Sequence, residues 1–486
     1  MHKFFARKGL VAFIIAFIGT LIYSIFQNIT YFPFDSGYYW QLSQSFTSDG
    51  KFTFFAYPEA YRGYFFPWIL FLASEFGKLI SFDERIGFII LSSGFLAALL
   101  TLMIPYIFEP FSNREQGIIS RLAVSALTVF FWPGLLLYPL SDLYSFGFTL
   151  VSVCMLTYIN RSYQQSSLDN KRIHWKHVAC ALFIGALLYG AYNTRTIYLF
   201  SVIVFLPLIF ITNFKRGALF LVSFLVALVI GWMLAAFPQM IINHNNLSTW
   251  SFGVDTSMVA EQGLFSVQLY SGIFSQRYET VLDTSLPLSG AIRFDDPMGW
   301  QVLNTTGGYR IGSFGGGLKL LAKFPIEFIG IYTRHLVNLL NPVYGEVYVL
   351  NLHRFKFHYT FINYCLMYLT ALGIITYIKL RRSAFDGKQE ITNPNQPLVL
   401  QLCFLLPIAI SCLAIIPGQP EIRFFFPLYV LMYGFLAYVF NLKEIWRLIK
   451  EHWILVILTF CSFLFLFIAI WGNTFASAHL QVDLFQ

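Results

Sequence analysis

The chain has 486 residues; 57% are hydrophobic and 12% are charged, with 32 Lys and Arg against 24 Asp and Glu. Soluble domains carry roughly 25% charged residues, so this composition, with a mean hydropathy of +0.64, excludes a soluble globular protein and specifies a polytopic membrane one. The net charge of +8 is then no sign of a nucleic-acid partner, because basic residues gather at the cytoplasmic ends of membrane helices.

Behind the basic start His2, Lys3, Arg7 and Lys8, the first apolar run at 9–27 is long enough to cross a ~30 Å hydrocarbon core. No small-residue cleavage site follows it, so it reads as a retained anchor. FPFDSGYYWQLSQSF comes next, with Asp35 alone among aromatics ahead of a short helix at 37–46. YPEAYRGYFFPW then brings Glu59, Tyr61, Arg62 and Tyr64, and opens a short apolar stretch at 64–80 that holds Pro67, Glu75 and Lys78. Strong apolar runs follow at 86–108, 118–139, 142–160, 178–192, 196–213, 217–237, 357–379, 397–417, 422–441 and 453–472. The expected fold is therefore an all-α polytopic membrane protein of about 11 transmembrane helices.

Charge decides what 64–80 does. If it lies flat, the basic groups Arg114 and Arg121, Arg161 to Lys176, Lys215 and Arg216, Lys379 to Lys388, and Lys443 to Lys450 all fall on the side of the N-terminus. If it spans, every later loop flips and they face outward, against the positive-inside rule. The stretch is thus expected to be interfacial, as is 37–46. The first outer loop then covers 28–85 within a transmembrane core at 1–237, an extracytoplasmic insertion covers 238–356, and the remaining helices lie in 357–486. KLLAKFPIEFIGIYTRHLVNLLNP near the end of the insertion reads as one amphipathic helix, a further interfacial element. All six cysteines sit in or beside apolar runs, which argues against disulfides and a cysteine metal site. His353 and His358 do not share a ligand spacing, and no metal or cofactor is assigned.

Polar residues at the expected outer boundary are few: Asp35, Glu59, Arg62, Asp142, Arg195, Glu421 and Arg423. Singly, Asp35 or Asp142 could cap a helix and an arginine could snorkel to headgroups. Jointly they are costly at a membrane edge and point to function. Asp35 before YYWQLSQSF, Arg62 in RGYFFPW, Asp142 in SDLYSF and Arg423 in EIRFFFP occur in an order that resembles the GT-C superfamily of membrane glycosyltransferases, in particular the protein O-mannosyltransferase and lipid A aminoarabinose transferase branch. The likeness covers residues 1–215 and, more loosely, 397–441. It departs at Ser36, where many relatives carry a second acid, and this puts metal dependence in doubt.

The resemblance implies a sugar carried on a polyprenyl phosphate and passed to a glycan, lipid or protein acceptor outside the cytoplasm, at an integral site in a bacterial inner membrane. A carboxylate raised toward neutral pH in a desolvated cleft could take the acceptor proton, and Asp35 is the candidate, with inversion at the anomeric carbon. Arg62, Arg423 and Arg195 are candidates for the departing phosphate. Glu59, Asp142 and Glu421 are supporting acids, and Tyr38, Tyr39, Trp40, Tyr61 and Tyr64 could stack on sugar. Two other readings share features with this one. A surface-polysaccharide polymerase or ligase would rely on loop arginines such as Arg277, Arg293 and Arg310. A lipid-linked sugar transporter or flippase would carry charges at mid-helix and broken helices.

Overall fold

The computed structural model describes residues 7–48, 50–81, 83–112, 116–165, 175–255, 263–282, 290–307, 313–351, 356–385, 398–476 and 478–481. The chain is an α-helical integral membrane protein. Among the described residues eight helices are long and apolar enough to cross a bilayer. In chain order they are α1 (Arg7–Phe26), the continuous Glu84–Phe111, Ser141–Tyr163, Trp175–Thr194, Thr196–Asn213, Ala218–Leu247, Phe357–Arg381 and Leu442–Ala476. Three further expected spans are shorter: Ile118–Phe131, Val399–Ile415 and Ile422–Tyr438. Proline explains the first of these. Pro133 follows Trp132, which leaves the helical region at φ −131° and ψ 42°, and the run restarts only as Pro133–Leu137.

The helix beginning at Ser141 is the hub. It is 83% buried over its apolar window, whereas Leu442–Ala476 is 6% buried and faces outward almost throughout. Trp175–Thr194 and Ala218–Leu247 approach closely, because a Cβ on Gly185 would lie 2.0 Å from the Leu228 carbonyl and one on Gly231 1.8 Å from that of Leu182. Basic residues gather at one end of the bundle. Arg161 pairs with Glu109, Arg121 donates to the Thr101 carbonyl, and Arg216 donates to that of Ile159 at 3.1 Å.

The opposite end carries the first loop. After α1 come α2 (Phe34–Gln44) and α3 (Phe65–Ser81). Phe65 N donates to Asn193 Oδ1 at 2.9 Å, one residue before Trp175–Thr194 ends. At the other end of α3, Gly77 lies against the backbone of Asp83 and Glu84, where the next helix begins. Both ends of α3 therefore dock at the end of the bundle away from the basic cluster.

The insertion departs from an all-α expectation. It contains strands β1 (Ser275–Val281), β2 (Gly290–Asp295) and the short β3 (Tyr348–Val349). A fourth strand, β4 (Ala478–Gln481), comes from beyond the last helix and completes a sheet of order β3-β1-β2-β4. β1 runs antiparallel to β2 and parallel to β3, and β2 runs antiparallel to β4. The boundary at 238 falls inside a helix, because Ala218–Leu247 continues through Pro238. The single amphipathic helix expected near the end of the insertion is two, Phe314–Lys323 and Pro325–Leu339. Pro325 explains the break, since its missing N–H and its effect on Phe324 suit a helix start rather than an interior.

Candidate active site

The turn into α2 is tightly built. Phe34 adopts φ 46°, unusual for a bulky residue. A Cβ on Gly37 would lie 2.3 Å from the Phe32 carbonyl, so only glycine fits there. Pro33, not Asp35, occupies the position before α2, and Asp35 sits in the first turn, where a carboxylate suits the helix dipole. The capping role for Asp35 is thereby excluded.

Asp35 Oδ1 accepts from Arg62 Nη2 at 3.0 Å, and Oδ2 accepts from Arg423 Nη2 at 3.1 Å. The Arg62 backbone is fixed from two sides. Tyr57 Oη donates to the Arg62 carbonyl at 3.1 Å, and Gly63 lies so close to Asn193 that a Cβ would meet its carbonyl at 1.8 Å. Arg62 Nη1 donates to Tyr39 Oη at 3.1 Å, and its guanidinium lies 5.8 and 6.0 Å from the Tyr38 and Tyr61 rings. Tyr38 Oη donates to Glu59 and lies 2.5 Å from Tyr61 Oη.

Arg423 stands on a single 3-10 turn, Ile422–Phe425, ahead of the helix Phe426–Tyr438. Tyr278 N on β1 donates to the Pro420 carbonyl at 2.8 Å, so the sheet of the insertion holds this turn. Arg423 Nη2 also donates to Glu421 Oε2 at 3.0 Å. Arg195 pairs with the buried Asp142. Phe424 lies between the two arginines, with the Arg195 guanidinium 3.9 Å and that of Arg423 5.5 Å from its ring centroid. Tyr348, on β3, brings the insertion to the site, its ring 6.1 Å from that of Phe34.

Six charged side chains from five separate stretches of sequence thus form one cluster. Asp35 and Arg62 are its open edge, with 37% and 30% of their side chains exposed. Arg423 and Glu421 lie beneath them at 8% and 7%. Burial pushes the Asp35 carboxyl up, but Arg423 and Arg62 outweigh it and hold the group below its ordinary value. This corrects the expectation of a raised Asp35: a carboxylate between two guanidinia is favoured in its charged form. The raised acid is Glu421, which burial lifts to about 7 against the pull of Arg423. Burial and the Glu59 contact also raise the Tyr38 phenol.

Not every expected residue reaches the cluster. Trp40 packs between Phe32 and Phe88, with centroids at 5.1 and 6.3 Å. Tyr64 is buried, its hydroxyl donating to the Ala235 carbonyl at 2.6 Å. Tyr64 offers no free face for a sugar and Trp40 is turned to other rings, which leaves Tyr38 and Tyr61 beside Arg62. Arg277 is buried and paired with Glu279, and Arg293 pairs with Asp295 at 2.5 Å. Arg310 and His353 lie outside the described residues, and His358 is exposed beside the Tyr359 ring. Among the described residues no three His, Cys, Asp or Glu side chains gather in a way that could hold a metal ion. Tyr39, expected as a sugar-stacking ring, is instead a hydrogen-bond partner of Arg62, and Phe424 and Tyr348 are neighbours that the sequence did not point to.

No protein-family model, no curated protein and no solved structure matches the chain.

Proposed function

We propose that this protein is a GT-C-like membrane glycosyltransferase that moves a sugar from a polyprenyl-phosphate donor to an acceptor on the extracytoplasmic face. The observation that carries the reading is the Asp35 carboxylate held between Arg62 and Arg423 at the open edge of a charge cluster. Two guanidinia converging on one anion offer the forked, permanently charged donors that a phosphate leaving group needs. A carboxylate beside them can take the proton of an acceptor hydroxyl as that oxygen attacks the anomeric carbon of the phosphate-bound sugar and the bond from that carbon to the phosphate breaks. Direct displacement inverts the anomeric centre. In this reading eleven helices cross a bacterial inner membrane with the basic end in the cytoplasm.

The polymerase or ligase reading is less well supported, because Arg277 and Arg293 are already engaged by Glu279 and Asp295. A carrier is disfavoured by the position of the cluster at one end of the bundle rather than midway. The experiment is transfer by purified protein in detergent, from a panel of polyprenyl-phosphate sugars to water or a soluble acceptor. Release of polyprenyl phosphate supports the reading. Movement of intact donor across liposomes without release replaces it with a carrier.

A further inference from the structure

The six members of the cluster balance in charge: Asp35, Asp142 and Glu421 against Arg62, Arg195 and Arg423. Glu59, bound by Tyr38, adds a further acid at the rim. Every guanidinium in this set already faces a carboxylate. An anion entering between Arg62 and Arg423 therefore adds a negative charge to a half-buried site with no positive charge to spare and competes with Asp35 for both partners. Unpaired charge in such a place is expensive. The cheapest remedy is a proton, and the group best able to accept one is a carboxylate that is buried and still coupled to the rest.

Resting on the proposed function, we infer that Glu421 takes up a proton from solvent when the phosphate of the donor binds between Arg62 and Arg423, so that donor binding is proton-coupled. Glu421 is a positioning residue in this scheme. As a neutral acid it no longer competes for Arg423, which then turns its charge to the phosphate, while Asp35 is released toward the acceptor. The geometry favours Glu421 over its neighbours. Asp142 keeps its own arginine, Arg195. Asp35 is more exposed and can turn to water. Glu421 is enclosed, shares Arg423 with Asp35, and already ionises only near neutral pH because of burial. The charged groups that face it are Asp35 from α2, Asp142 from the hub helix, Arg195 after Trp175–Thr194, and Arg423 from its own turn. From the insertion, Arg277 and Glu279 form a closed pair nearby, Tyr348 flanks Arg423, and His335 is engaged with the Ile416 carbonyl at 2.6 Å. None of these supplies the missing proton.

The test is calorimetry of a polyprenyl methyl phosphodiester, which carries one fixed negative charge around neutral pH, titrated into the full chain at pH 8 in two buffers of different ionisation enthalpy. About one proton should be taken up per diester bound, and the wild-type Kd should rise with pH above 7 by up to about tenfold per unit. Glu421→Gln should still bind but take up no proton, and its Kd should be flat with pH. Asp35→Asn leaves one positive charge in excess, which the diester itself neutralises, so its uptake should fall well below that of wild type. Wild-type binding with no buffer dependence overturns the inference while leaving the proposed function standing. So does an uptake that survives in Glu421→Gln, or one that is as large in Asp35→Asn as in wild type. If the wild-type protein does not bind the diester at all, both readings fall together. The pH dependence of the wild type decides the matter even if Glu421→Gln does not fold.

Discussion

Asp35 and Arg423 stand 388 residues apart in sequence and 3.1 Å apart in space. The same carboxylate also holds Arg62 at 3.0 Å, so one side chain ties the first loop to a turn near the end of the chain. Within the proposed function this makes Asp35 both the counter-ion of the resting site and its base.

Asp35→Asn tests the base role. The side chain keeps its size but cannot accept a proton at neutral pH, so transfer should fall by about 10²–10⁴-fold, the usual scale of general-base loss. Turnover of a purified variant with radiolabelled donor measures this. Activity above about a tenth of wild type, well inside that scale, removes Asp35 from the base role.

The two arginines should differ in what they cost. Arg423 is buried and serves two acids, so Arg423→Ala strands the buried Glu421, leaves Asp35 with Arg62 alone, and should destabilise by about 3–5 kcal/mol. Arg62 is partly solvated, and Arg62→Ala should cost about 1 kcal/mol or less in stability while still impairing donor use. Thermal melts in detergent beside a KM measurement read both effects. Equal melting losses would contradict the burial difference.

Gly63→Ala is a backbone test of Arg62. A Cβ there would meet the Asn193 carbonyl at 1.8 Å, so the YRG segment must shift and take Arg62 with it. Transfer should drop at least about tenfold, on the scale of a displaced positioning group. Gly117→Ala, with nothing within 4 Å of the added carbon, is the control and should be silent.

Stability should carry opposite pH signatures from the two acids. Asp35 has a folded-state pKa below its ordinary value, so its contribution is present above that value and is lost as pH falls through the acid range. Glu421 is raised from 4.5 to about 7, so its folded form is favoured while protonated and loses ground as pH rises between those values. The full loss is of order 3 kcal/mol. Melting temperature against pH should therefore decline less from pH 5 to 8 in Glu421→Gln than in wild type. An identical slope would show that Glu421 does not titrate there.

Topology is open to labelling. Single cysteines at Ser48 and Ser81 in a cysteine-free background should both react with an impermeant thiol reagent added from outside. Reaction of Ser81→Cys only after the cytoplasm is opened would mean that α3 crosses the membrane.

Much of the fold was legible because a bilayer demands long apolar helices, and eight of the eleven runs in the sequence became helices long enough to cross one. The interruptions were less visible: Pro133 and Pro325 broke runs that hydropathy alone joins. The sheet was hidden for a different reason. Its strands are short, and β2 pairs with β4 from beyond the last helix, which no local pattern announces. At the site, the charged residues stood out by their rarity, but the aromatics did not. Tyr38, Tyr39 and Trp40 are adjacent, and only the helical period tells them apart. Tyr39 follows Asp35 by four residues and shares its face, and it is Tyr39 that meets Arg62. That spacing was available in the sequence. The electrostatics of Asp35 were not, since they depend on Arg62 and Arg423 arriving together.

The pairing of β2 with β4 also bears on biogenesis. β2 leaves the ribosome long before Ala478–Gln481, and at 5–20 residues per second the interval is roughly 10–40 s. For that time the sheet has an unpaired edge, a template for misplaced strands. Synthesis of the insertion therefore precedes completion of its own sheet, and the strand that closes it arrives only after four more helical segments have been made. A tag or deletion at 478–481 would act on the insertion some 180 residues upstream rather than on the helix beside it.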